Sequence, residues 1–161
     1  MNNGTMYLSD MIELIREVLD SDGEFRLYPK GVSMLPLIRQ QKDSVILKKR
    51  VDSPDAPVKK HEIAFYVREN GEFVLHRVMQ IEKDGTYTMC GDNQAYWEKG
   101  IRPSQIIGYV SRIYKKEKCL ATDSLRYRIY LCIWMCMPIR KGIFLPRRAL
   151  SFIKRRVSGN K

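Results

Sequence analysis

Residues 63 to 90 read IAFYVRENGEFVLHRVMQIEKDGTYTMC, and the fold class turns on this stretch. Three runs rich in branched and aromatic side chains, Ile63–Val67, Phe73–Ile81 and Thr86–Cys90, are separated by Glu69-Asn70-Gly71 and by Asp84-Gly85. Runs of this composition and length read as strands, and an Asn-Gly or Asp-Gly step between two of them reads as a tight hairpin. The texture continues outward, to Ser44–Leu47 (SVIL) before the turn-rich Asp52–Pro57 and to Ile106–Tyr114 afterwards. No long helices alternate with these runs. The expectation over residues 25–114 is therefore a mainly β domain with a coiled, barrel-like sheet.

Both flanks read differently. Over residues 8–22, Met11, Ile12, Ile15, Val18 and Leu19 recur at the three-and-four spacing that places them on one helix face. Ser9 or Asp10 can cap the start, Glu13 follows Asp10 by three, and Gly23 stands where a helix stops. Residues 1–24 are thus expected as an amphipathic helix covering a sheet edge. A DNA-reading helix-turn-helix needs a second helix. Residues 115–161 form a basic tail around Ile129–Ile139 (IYLCIWMCMPI), bracketed by Arg126, Arg128, Arg140 and Lys141. Pro138 and Pro146 break any long helix there, so two or three short helical pieces with basic rims are expected.

Composition narrows the classes. The chain has 161 residues, 44% of them apolar and 29% charged, which is a globular balance. Its net charge of +11 is concentrated at one end. Residues 112–161 carry 14 basic and 2 acidic side chains, a net +12, whereas residues 1–111 carry 15 and 16. No apolar run approaches the roughly 18–20 residues of a spanning helix. Met1–Asp10 lacks the basic start and apolar stretch of a secretory signal, so a cytoplasmic chain is expected. Cys90, Cys119, Cys132 and Cys136 form no CxxC pair and have no histidine at ligand spacing, which argues for free thiols and against structural zinc. With no Gly-rich phosphate loop either, neither metal nor cofactor is expected.

The chemistry-bearing residues lie in four short stretches. They are Gly31-Val32-Ser33-Met34-Leu35-Pro36, Val74-Leu75-His76-Arg77-Val78, Gly91-Asp92-Asn93 and Ile106-Ile107-Gly108-Tyr109-Val110. A serine hydroxyl needs a base to become a nucleophile. Of the two histidines, His76 lies within a strand, and His61 lies in a turn beside Lys59, Lys60 and Glu62. Asp92 could orient an imidazole and hold its tautomer. Each residue also has a plainer role open to it: a turn serine bonding backbone, a half-buried strand histidine, and an aspartate shaping a turn.

In this order the stretches resemble the signal peptidase I and LexA-type peptidase superfamily, and within it the endoplasmic-reticulum and archaeal type of signal peptidase. The resemblance covers about residues 27–114. It rests on Gly31–Ile38, Leu75-His76-Arg77-Val78, Asp84-Gly85-Thr86-Tyr87, Gly91-Asp92-Asn93 and Ile107-Gly108-Tyr109-Val110. It implies a serine endopeptidase with a coiled β-sheet barrel that cleaves a leader or signal-like peptide. Ser33 is then the nucleophile, and its amide joins the oxyanion hole. His76 is the base where bacterial-type relatives carry lysine, and Asp92 orients it. Gly31, Met34 and Pro36 shape the substrate side, and Glu98 is a candidate for the family's further acid. The implied partner is an extended peptide or preprotein bound as an added strand.

The sequence also departs from the family pattern. Lys42-Asp43 and His61-Glu62 replace two Gly-Asp steps, and Gly31 brings no hydroxyl to the oxyanion hole. The membrane anchor that usually begins such enzymes has no counterpart in the first residues. For the tail, three roles compete. One is attachment to an anionic membrane surface through residues 126–156, another is intramolecular docking, and the least favoured is phosphate contact with nucleic acid. Two further readings of the whole chain are a non-catalytic peptide- or protein-binding module on this fold and a LexA-like self-cleaving regulator. A histidine base implies activity rising near or above its ordinary pKa of about 6.5.

Overall fold

Strands β3 (Ile63–Val67) and β4 (Phe73–Ile81) form an antiparallel hairpin, and β4 forms a second one with β5 (Tyr87–Cys90). In the first turn the Asn70 side-chain oxygen accepts from the Glu72 amide, and in the second Asp84 accepts from the Thr86 amide and hydroxyl. These are the local bonds that make Asn and Asp good turn residues. The structure, a computed structural model, describes residues 8–21, 23–49, 59–116 and 118–135.

Around these hairpins lie α1 (Leu8–Asp20), β1 (Glu24–Leu27), β2 (Asp43–Lys48), β6 (Glu98–Ile101), β7 (Ile106–Lys115) and β8 (Lys118–Ala121), with a 3-10 turn at Pro103–Gln105. All pairings are antiparallel, in the order β1-β2-β7-β3-β4-β5-β6, and β8 also pairs with β7. Strand β7 is the spine. Along one edge it pairs with β2, while the other edge serves β3 near Tyr109 and β8 near Ile113.

The mainly β expectation holds, but the sheet is not a closed barrel. Among the described residues no ladder joins β6 to β1. Closure requires the two end strands to share a ladder, and β1 and β6 have only four residues each. Register shifts in the β2–β7, β3–β7, β4–β5 and β5–β6 pairs mark where the ladders are irregular. Strands β1, β6 and β8 escaped the sequence reading because EFRL, EKGI and KCLA are only four residues long and each carries charge. Their extended form comes from the neighbour they pair with. The sheet consequently runs on to Ala121, beyond Tyr114.

The period of two along each strand sorts the core. Ala64, Tyr66, Val78, Tyr87, Met89 and Ile101 form one buried cluster, with Val74 packed against it. Because Ala64 is opposite His76 and Tyr66 is opposite Val74, the Tyr66 and His76 side chains emerge on this same face as diagonal neighbours. Arg77 points to the other face.

Helix α1 packs against β1 and β7, burying Ile15 and Leu19. It approaches so closely that a Cβ on Gly108 of β7 would lie 2.9 Å from Leu19 Cδ1 and 3.2 Å from the Lys48 carbonyl oxygen. The chain from Ser124 onward forms a second unit. It begins with α2 (Leu125–Trp134), whose first turn is capped by the Ser124 side chain accepting from the Tyr127 amide. Tyr130 stacks on Trp134, and Leu125, Ile129 and Ile133 are exposed. The expected later helical pieces of the tail, with Pro138 and Pro146, lie outside the described residues.

Gly108→Ala is expected to overpack the α1 contact and cost about 1–3 kcal/mol. Urea unfolding monitored by circular dichroism measures the loss. A variant as stable as the parent would mean that α1 can move away freely.

Candidate active site

Ser33 sits in the turn between β1 and β2. Met34, Leu37 and Ile38 anchor this turn in the core, leaving Pro36, which follows a cis peptide bond, exposed. Backbone bonds from Leu35 to Val32 and from Ile38 to Met34 keep it tight. At its exit the buried Asp43 carboxylate accepts from the Arg39 amide at 2.9 Å and from the Arg39 guanidinium at 2.8 and 3.1 Å. The acid of the altered Lys42-Asp43 step therefore closes the loop that carries the serine.

Gly91-Asp92-Asn93 clasps the serine turn from the other side. The Asn93 amide donates to the Ser33 carbonyl at 2.7 Å, and the Asn93 side chain donates to the Val32 carbonyl at 3.1 Å. A Cβ at Gly91 would come within 2.6 Å of the Ser33 carbonyl oxygen, so only glycine permits this approach. Asp92 faces Arg77. Arg77 Nε and Nη2 each donate to a different Asp92 oxygen at 2.7 Å, and Arg77 Nη1 donates to the His61 carbonyl at 2.8 Å. Both members of this bidentate pair are buried. Strand parity explains the choice: Arg77 is opposite Cys90, and Asp92 is two residues further on. His61 adopts a left-handed backbone (φ 73°), a conformation that suits glycine better than a residue with a β-carbon.

The carboxylate nearest the imidazole is a different one. Asp92 is expected from the family pattern to orient His76, yet the hydrogen-bond partner of His76 Nδ1 is the Tyr66 hydroxyl, at 3.2 Å. Tyr66 in turn donates to Glu98 Oε2 at 2.8 Å, and that oxygen is 3.9 Å from Nδ1. Arg68 grips Glu98 through Nε at 2.8 Å and Nη2 at 2.7 Å, and bonds Glu72 with Nη1. Glu98 reaches this face because it is opposite Met89, a member of the same buried cluster. Glu98, the candidate further acid, is thus the one assembled behind the histidine. Tyr66 and Arg68 gave no signal in the sequence beyond their place in and just after a strand.

Burial dominates the electrostatics. Only 2% of His76 is exposed, and desolvation lowers its pKa to about 4. Glu98 and, more weakly, Asp92 favour the imidazolium, and Arg68 opposes it. Arg68 and Tyr66 hold Glu98 ionised, below the usual range, despite burial in the opposite sense. The Tyr66 phenol is pushed upward, first by burial and then by Glu98, and so keeps its proton. The His61 pKa is also lowered, by burial and then by Lys60.

Ser33 and His76 line one cavity of about 210 Å³, together with Gly31, Met34, Ile38 and Leu75. Pro36, Asp92 and Glu98 are not among its walls. Among the described residues, no hydrogen bond joins Ser33 to His76, and the Ser33 amide has no acceptor. No group of three or more metal-ligating side chains occurs among the described residues. The Cys90 thiol is buried, whereas Cys119 and Cys132 are exposed.

Asp92→Asn is expected to strand the Arg77 charge and cost about 3–5 kcal/mol of stability, whereas a paired Arg77→Met, Asp92→Leu exchange recovers most of it. Denaturant titration of the three proteins reads the difference. A fully stable Asp92→Asn would show that the pair does not hold the serine turn in place. In comparisons with known proteins, the chain matches no family model and no curated sequence.

Proposed function

We propose that the chain is a serine endopeptidase of signal peptidase type, acting on an extended peptide such as a leader segment. The observation that carries this reading is the convergence of Ser33 and His76 on one cavity, with the Glu98 carboxylate behind the imidazole. His76 takes the Ser33 proton as Oγ attacks the scissile carbonyl carbon. The carbonyl oxygen becomes the oxyanion, and the Ser33 amide, which has no acceptor among the described residues, donates to it. Collapse of this intermediate breaks the C–N bond, the departing amine takes its proton from His76, and an acyl-enzyme remains. Water then gives a proton to His76 and its oxygen to the acyl carbon; the C–Oγ bond breaks, Oγ takes the proton back from His76, and the new carboxyl end leaves. A Ser33–His76 hydrogen bond forms only when substrate fills the cavity, since catalytic hydrogen bonds are commonly long or unmade in the free enzyme.

In this reading Asp92 acts through the framework: it holds Arg77, and its neighbours Gly91 and Asn93 hold the serine turn. Gly31 and Met34 line the substrate cavity. The tail supplies attachment to an anionic membrane surface. That role draws on the net +12 of residues 112–161 and on the exposed Leu125, Ile129 and Ile133 beside Arg126 and Arg128. No helix among the described residues is long and apolar enough to cross a membrane.

The reading is tested by comparing new protein amino termini, by mass spectrometry, in cells producing the parent protein or Ser33→Ala. Termini made only by the parent are expected, clustered after leader-like segments. If none appear with both proteins folded and abundant, a binding module on the same fold becomes the better account. The peptide so identified then gives the pH profile. Because the working form of His76 is unprotonated and its pKa is lowered to about 4, kcat/KM is expected to lose its acid limb near pH 4 rather than near 6.5. An acid limb at or above pH 6.5 would place the base elsewhere or show the imidazole to be better hydrated.

A further inference from the structure

The chain of contacts His76–Tyr66–Glu98 constrains where each proton lies. Glu98 is clamped by two donors of Arg68 and is ionised, so it can only accept. The Tyr66 oxygen lies 2.8 Å from Glu98 Oε2. Two oxygens at that separation with no proton between them repel, so the single phenolic proton belongs on the line to Glu98. The Tyr66 oxygen is then left with lone pairs alone toward His76 Nδ1, 3.2 Å away. Only an N–H on Nδ1 satisfies that contact. A neutral imidazole with its proton on Nδ1 carries its lone pair on Nε2, the form a general base needs.

We infer that Tyr66 is a positioning residue that couples the Glu98 carboxylate to His76 and holds the imidazole as its Nδ1–H tautomer. Arg68 belongs to the same device, because it fixes the carboxylate from behind and keeps Glu98 from swinging onto the ring. The arrangement puts a phenol where a triad would place a carboxylate directly. It orients the base through a neutral group and leaves the negative charge one residue away, beside a guanidinium. The catalytic consequence rests on the peptidase reading above, but the tautomer does not.

The test is a long-range proton–nitrogen correlation spectrum of the full chain carrying 15N-histidine, recorded at pH 7. With only two histidines, His76→Gln assigns the signals. The parent is expected to show His76 with a protonated Nδ1 and an unprotonated Nε2. In Tyr66→Phe, which keeps the ring and loses the hydroxyl, a large share of the proton is expected to move to Nε2. Cleavage by that variant is expected to fall at least about tenfold in kcat, part of the 10²–10⁴ that a positioned base supplies, with KM within about twofold. A parent spectrum with the proton on Nε2 overturns the inference without any variant, as does a folded Tyr66→Phe with an unchanged His76 tautomer. If the tautomer behaves as stated and Ser33→Ala abolishes no new termini, the positioning role stands and the peptidase reading falls.

Discussion

The buried pair between Arg77 and Asp92 sets the register of everything around the cavity. Removing a guanidinium and a carboxylate from water is costly, and their attraction offsets that cost only when the geometry is good and the remaining donors are satisfied. Here the pair is bidentate at 2.7 Å, and a further guanidinium nitrogen donates to the His61 carbonyl. Because Asp92 cannot leave Arg77 cheaply, Gly91 and Asn93 stay against the serine turn. Arg77 is also the chain neighbour of His76. One ion pair therefore ties the loop bearing the serine to the strand bearing the histidine.

Strand β4 divides two jobs between its faces. On one side Arg77 holds the framework, and on the other His76 meets Tyr66 and the Glu98 carboxylate. A one-residue slip of β4 would exchange the faces and destroy both arrangements together. His61 and Asp43 fit this division. His61 keeps a left-handed backbone that offers its carbonyl to Arg77, and Asp43 closes the serine turn through Arg39. At His76 burial outweighs the field of Glu98, and Arg68 acts in the same direction as burial. The imidazole is consequently neutral at physiological pH, and in the proposed mechanism so weak a base returns its proton readily to the leaving group.

The mainly β class, the five strongest strands, the first helix and both hairpins were legible in the chain because they depend on local causes. Alternating branched residues, Asn70-Gly71 and Asp84-Gly85 act within a few positions of themselves. Ser33 and His76 were legible as candidates for a similar reason, since a serine turn and a strand histidine are short patterns; that both line one cavity came from the fold. The open ends of the sheet were not legible, because closure depends on which edge strands find a partner. Short polar strands such as Glu98–Ile101 acquire their form from that partner.

The amino-acid sequence alone determined which residues are available: a strand histidine, a serine in a Gly-Val-Ser-Met-Leu-Pro stretch, several acids and a cationic tail. Which acid serves which base was decided by tertiary structure. Asp92 and Glu98 are six positions apart and chemically alike, and nothing local separates their roles. Strand parity and the path of β6 send Asp92 to Arg77 on one face and Glu98 to Tyr66 and His76 on the other. A carboxylate bonds the donor it can reach while shielded from water, and reach is a property of the folded sheet.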